Sequence, residues 1–325
     1  MPKGVGVMGS VKNLNVMKEA SGSEMGLGVF EFTDDYSVFD YGKMPETIPH
    51  KGEALCRMAA YNFVELEKKG VKSHFRKLVS GNKMEVNLVR VLYPQKGELN
   101  ADDVNYLVPL EVIFRNSLPE GSSVFKRFES GQLRPADLGL KNIPKPGEKL
   151  KNPILDVSTK LEPIDRYMDW KEAQALARLS ALQLRGLKEK TLAINDFITK
   201  HAEKIGLEHA DGKVEFGIDA KGKLILVDVC GTLDENRLLY NGFPISKQVL
   251  RDYYKTTSWY KELEEAKKQT TNKQDWPAPH KMPKELKEII SNMYTSVCEA
   301  WTNEKRWNSP RISDVIAGYK KFLKK

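Results

Sequence analysis

Familiar catalytic signatures are scarce in these 325 residues. The three cysteines, Cys56, Cys230 and Cys298, are far apart and show no Cys-x-x-Cys spacing, which argues against a disulfide framework or a zinc site. The five histidines, His50, His74, His201, His209 and His280, form no metal-ligand pair. There is no Gly-x-Ser-x-Gly elbow and no complete Walker A string, so serine-hydrolase and P-loop chemistry have no support. No run approaches the ~20 consecutive apolar residues that cross a bilayer. No apolar signal core follows Met1-Pro2-Lys3-Gly4. No internal repeat is visible. These absences lead us to expect a soluble, cytoplasmic protein, and the length suggests two domains at about 100–200 residues each.

Charge needs locating before it is read. The chain carries 52 basic and 44 acidic side chains, a net +8. Residues 251–325 alone hold 16 basic and 10 acidic ones, six of those eight charges. Much of this lies on mixed stretches such as Lys261-Glu262-Leu263-Glu264-Glu265-Ala266-Lys267-Lys268. Mixed signs at helical spacing belong on a solvated face, not on the basic stripe that phosphate backbones demand. Nucleic acid is therefore not expected as a partner.

Strand patterns occur at 28–33, 84–92 and 107–114, around a helix at 53–69 with Leu55, Met58, Ala59, Phe63 and Leu66 on its apolar face. Residues 131–163 read as an irregular, proline-punctuated loop, and 169–205 as one long helix capped by Asp169. A hairpin at 213–219 and 223–229 turns through Asp219-Ala220-Lys221-Gly222. The remainder is mostly helical.

Gly4-x-Gly6-x-x-Gly9 matches the dinucleotide fingerprint as a string, but an extended pattern follows where that fingerprint needs a helix. A glycine-rich turn that sets Lys12 near a phosphate is the surviving idea. In the hairpin, Glu215 and Asp228 are candidate Mg²⁺ ligands, since Mg²⁺ takes one or two carboxylates plus phosphates and water. Register decides whether they converge. A two- or four-residue loop places them on one face, whereas a three-residue loop with a bulge at Gly222 places them on opposite faces. The turn residues lean towards the bulge. Arg115, followed by Gly121-Ser122-Ser123, and Arg237 are candidate phosphate ligands.

Taken together, the segments resemble the SAICAR synthetase family. The resemblance is carried by Gly9-Ser10-Val11-Lys12, Thr33-Asp34-Asp35-Tyr36-Ser37-Val38-Phe39-Asp40, Ile48-Pro49-His50-Lys51-Gly52, Val108 to Arg115 with Gly121-Ser122, Ser158-Thr159-Lys160, Lys213-Val214-Glu215-Phe216-Gly217, and Asp228 through Asp234 to Arg237. It implies a two-lobed α+β fold: an antiparallel-sheet, ATP-binding lobe over 1–107, and a mixed lobe over 108–325 that ends in a helical extension from about 241. It implies an ATP-dependent ligase of purine biosynthesis that joins CAIR (5-amino-1-(5-phosphoribosyl)imidazole-4-carboxylate) to L-aspartate through an acyl phosphate, with ATP and Mg²⁺ as cofactors. The partners implied are these small molecules, with no membrane; whether the chain forms a homo-oligomer stays open.

The same resemblance implies the site. Gly9, Ser10, Val11 and Lys12 would face ATP, with Glu215 and Asp228 holding Mg²⁺-ATP. Ser37, Asp40, Lys51, Arg115, Gly121, Ser122 and Arg237 would bind substrate, and Asp34, Lys160 and Arg115 would serve catalysis. The chain departs from the family pattern in three places. Ser10 stands where the family commonly has a lysine, one extra residue lies between Arg115 and Gly121, and Val229-Cys230-Gly231-Thr232-Leu233 replaces a commoner Glu-Val-x-Thr-Pro. A kinase-like phosphotransferase and a noncatalytic nucleotide- or RNA-binding protein are the other classes considered; the first lacks His-Arg-Asp and Asp-Phe-Gly strings.

Overall fold

The computed structural model describes residues 6–8, 11–162, 164–245 and 247–324. Two antiparallel sheets organise it. The first has strands in the order β1 (Gly6–Met8), β2 (Lys12–Lys18), β3 (Gly26–Phe32), β5 (Lys83–Leu88) and β4 (Phe75–Ser80). Along β3 the even positions, Phe30 and Phe32 among them, are buried and the odd ones half-buried, the period-2 alternation of a sheet with one covered face. Helix α1 (Lys51–Lys68) supplies the cover with Leu55, Met58, Ala59 and Phe63, close to the helix expected at 53–69. β1 and β2 pair antiparallel, so a strand stands where a dinucleotide site would require a helix.

The second sheet runs β11 (Phe243–Pro244), β10 (Asn236–Tyr240), β8 (Glu208–Ile218), β6 (Tyr106–Ser117) and β7 (Lys149–Thr159). β9 (Leu224–Val227) pairs with the far half of β8. β7 lies inside the stretch read as a loop. It is an edge strand, and its register against β6 breaks between Arg115 and Ser117, opposite the segment that carries Pro153. An edge tolerates a proline that cannot donate to the ladder, so the prolines mark strand position and not the lack of a strand.

The long helix also differs from expectation. α3 (Trp170–Leu176) and α4 (Ala181–Lys204) are separate, with Arg178 left-handed at φ 53° between them. Ser180 starts α4 with a reciprocal cap to Gln183. Asp169 does cap α3, accepting from the Lys171 and Glu172 amides at 2.8 Å, while the Glu172 carboxylate turns to Arg166. After β11 come α5 (Gln248–Lys255), α6 (Ser258–Gln269), α7 (Lys284–Thr302) and α8 (Ile312–Phe322). α7 packs against α1 of the first sheet, and its Trp301 indole donates to Asn62 on α1. The C-terminal helices thus reach back to the N-terminal part of the chain. No helix among the described residues is long and apolar enough to cross a membrane.

Candidate functional site

The hairpin fixes the first part of the site. Ile218 pairs with Leu224 and Glu215 with Val227, and Gly222 is left-handed at φ 74°, so the turn is the bulged one. Strand alternation would then put Asp228 on the face away from Glu215. The chain avoids this because β9 ends at Val227 and Asp228 itself is left-handed, at φ 62°. Out of the pleat, its carboxylate comes close enough to Glu215 to push that group's pKa up, an effect second only to burial.

Cations pair with both carboxylates. Lys12 of β2 forms an ion pair with Asp228. Lys160 lies 2.7 Å from Glu215 and 3.2 Å from Glu111, and Lys213 lies 2.6 Å from Glu111. Burial opposes the charge on Lys160, yet Glu215 and Glu111 outweigh it and raise its pKa. Signs therefore alternate along this floor. Burial pushes the His74 pKa down to about 4, so the ring is neutral and its Nε2–H donates to the Asp228 carbonyl at 3.1 Å.

Beside the hairpin is a cleft of about 390 Å³ lined by Arg115, Gly121, Ser123, Lys213 and Arg237. Arg237 grips Asp211 with Nε at 2.8 Å and a second nitrogen at 2.5 Å. Arg115 is buried with its guanidinium 3.1 Å from Asp156 and 3.4 Å from Asp211. Ser122 is buried as the N-cap of α2 (Ser123–Glu129), its oxygen accepting from the Val124 amide. Ser123 is the serine that faces the cleft, hydrogen-bonded to the Tyr167 hydroxyl at 2.8 Å.

A second cleft of about 180 Å³ adjoins the first and is lined by Val11, Ser37, Asp40 and Lys51. The two share Asp234, Glu235, Lys247 and Arg251 as a common wall. Lys51 is buried 2.8 Å from Asp234, whose other oxygen accepts from the Tyr294 hydroxyl of α7 at 2.7 Å. Asp34 lies elsewhere. Its carboxylate accepts from the His50 and Gly52 amides at 3.2 and 2.9 Å, closing the start of α1. Gly9 and Ser10 lie outside the described residues.

Lys247 and Arg251 are the residues that sequence reading missed. Burial lowers the pKa of both, and nearby carboxylates offset this only in part. Neither has an ion-pair partner among the described residues, so the shared wall presents two under-compensated cations, the electrostatics of an anion site. The four-residue spacing of Lys247 and Arg251 around the start of α5 was the available signal.

Behind Arg237, His209 is buried between Asn236 (3.0 Å) and Thr199 (2.8 Å), with its pKa pushed down to about 4. Because the unfolded chain binds that proton more readily, stability from this group is complete above about pH 6.5 and lost as pH falls towards 4. The loss is about 3 kcal/mol. Urea unfolding at pH 7 and pH 4.5 should show it, and His209→Gln should reduce the dependence while leaving the part that the similarly buried His74 contributes; an unchanged dependence in that variant would remove His209 as a source.

Fold and site together define a two-lobed α+β enzyme for polyanionic small molecules. The chain belongs to the SAICAR synthetase family, whose model matches residues 18–267. A relative from Archaeoglobus fulgidus, described as a candidate phosphoribosylaminoimidazole-succinocarboxamide synthase, is 41% identical over 332 aligned positions, covering 97% of this chain and all of its own. Among solved structures, the SAICAR synthase from Saccharomyces cerevisiae complexed with SAICAR superposes with a TM-score of 0.68 at 22% identity, over 94% of this chain and 97% of that one. A type-2 SAICAR synthetase in complex with ADP gives 0.64 at 21% identity, over 93% and 99%.

Proposed function

We infer that this chain is an ATP-dependent carbon–nitrogen ligase of purine biosynthesis, converting CAIR, L-aspartate and ATP to SAICAR, ADP and phosphate. The observation that carries the reading is the meeting of a carboxylate hairpin, Glu215 and Asp228, with a double cleft whose shared wall holds Lys247 and Arg251, cations with no ion-pair partner among the described residues. A carboxylate is a poor electrophile until one oxygen becomes a phosphate leaving group. Phosphoryl transfer then requires positioning and charge neutralisation more than a nucleophilic side chain.

In the reaction, the CAIR carboxylate oxygen takes the γ-phosphoryl group and ADP leaves. The aspartate nitrogen next bonds to the acyl carbon and loses a proton. The carbon–oxygen bond to phosphate breaks with its electron pair on phosphate. Lys12 would meet the ATP phosphates from β2. Glu215 and Asp228 suit Mg²⁺, being two hard oxygen donors where a phosphate-bridged ion needs only one or two from protein. Bound there, the ion would neutralise charge on the transferring group. No cluster of three or more His, Cys, Asp or Glu side chains that could hold a metal by themselves converges among the described residues.

Lys160, kept cationic between Glu215 and Glu111, would orient Glu215 and face the acyl phosphate. Arg237, Ser123 and the Gly121 turn would hold the phosphoribosyl group, within a frame stiffened by Arg115. Lys51, Lys247 and Arg251 would neutralise the carboxylates of CAIR and aspartate, with Ser37 and Asp40 lining the same smaller cleft. Asp34 would serve by fixing the start of α1, which carries Lys51. An isotope experiment tests the chemistry: heavy oxygen placed in the CAIR carboxylate should be recovered in the released phosphate. Retention of all label in the organic product would exclude the acyl phosphate.

A further inference from the structure

Two consecutive residues on the wall of the smaller cleft, Phe39 and Asp40, are left-handed, at φ 54° and 58°. A bulky aromatic side chain is an outlier there. A residue strained in this way persists only where its surroundings over-determine it. The surroundings that hold this pair come from far along the chain. The Phe39 ring packs on Tyr260 of α6 with centroids 4.7 Å apart, and on Trp259 at 6.4 Å. Tyr41 meets Trp259 edge-on at 5.6 Å and Trp276 at 6.5 Å. Lys273, in the short turn after α6, crosses the Trp276 ring at 5.6 Å and donates through Nζ to the Asp40 carbonyl at 2.6 Å.

We propose that α6 and the turn at Lys273–Asp275 form a clamp that holds Phe39 and Asp40 in this strained shape and so presents Asp40 to the substrate cleft, with Tyr260 and Lys273 as positioning residues. The Asp40 carboxylate is within electrostatic reach of Arg251 and Asp165, each of which lines the larger cleft. A released loop would relax towards ordinary backbone angles and carry that carboxylate away from them. Ordering by the clamp costs the substrate nothing at binding, because the strain is met when the protein folds. The inference rests on the ligase reading and adds a role for residues beyond the family's site motifs.

The test is steady-state kinetics of the full chain with ATP, CAIR and L-aspartate, varying each in turn. Lys273→Met and Tyr260→Ala should each raise KM for CAIR or aspartate by ~10-fold, as misplacement of a binding group does, with kcat nearly unchanged. Tyr260→Phe and Lys273→Arg, which keep the ring contact and the donor, should restore it. Unchanged KM values in both disruptive variants would overturn the proposal, as would an equal fall in kcat without a KM change. Tyr260→Ala removes a ring that packs on Phe39, so Lys273→Met, a change at an exposed lysine, decides if Tyr260→Ala fails to fold. A wild-type chain that shows no three-substrate turnover would instead defeat the ligase reading itself.

Discussion

Asp228→Asn should lower kcat/KM for ATP-dependent turnover by about 100-fold or more while the protein stays folded. A cation held on a transferring phosphoryl group contributes several kcal/mol of charge stabilisation, and each 1.36 kcal/mol is tenfold in rate. The substitution keeps the shape and removes only the charge. Asparagine also tolerates the left-handed backbone that Asp228 adopts at φ 62°, whereas alanine would add strain. Lys12 loses its partner but is about one-fifth exposed, so water can take over. Glu215 loses the neighbour that raises its pKa. Kinetics as a function of Mg²⁺ and ATP, beside a circular-dichroism melt, separate the two effects. Wild-type kcat/KM with unchanged metal dependence would remove Asp228 from the site.

The second large effect falls on stability. Arg115→Met should destabilise the fold by about 3 kcal/mol, the lower end of what breaking a buried ion pair costs. The Arg115 side chain is only 3% exposed and answers two carboxylates, Asp156 and Asp211. The lower end applies because Asp156 keeps Arg127 at 2.6 Å and Asp211 keeps Arg237. Arg237→Met, on the half-buried side of the same network, should leave stability closer to wild type and raise KM for the phosphorylated substrate. Urea midpoints for the two variants check the ordering. Equal midpoints for Arg115→Met and wild type would show that the network does not bear on folding.

Local chemistry made part of this molecule readable in advance. The bulged turn follows from Asp219 and Gly222, the alternation of β3 from Phe30 and Phe32, and α1 from its spaced apolar residues. What stayed hidden depends on contacts between distant segments. Nothing local reveals that Pro153 sits on an edge strand, or that Arg178 breaks a helical pattern without glycine or proline. That the Asp34 carboxylate accepts two amides at the start of α1 is not visible in its own segment. Ser122 and Ser123 are neighbours in sequence, and only the start of α2 decides which one caps and which one faces the cleft.

The basic C-terminal stretch shows the limit most clearly. By composition it is a solvated, mixed-charge surface, and α6 does carry such pairs, Lys267 with Glu264 and Lys268 with Glu265. Yet Arg251 lines both clefts, and Lys273 reaches the Asp40 backbone. Cations that reach the clefts and cations on the mixed surface lie in one segment, and its average charge cannot sort them.

The most direct test of the central claim is a substrate-dropout assay for ADP release. Steady release of ADP should require ATP, CAIR and L-aspartate together and stop when any one is withheld. ATP turnover that proceeds at the same rate without CAIR and without aspartate would contradict the account.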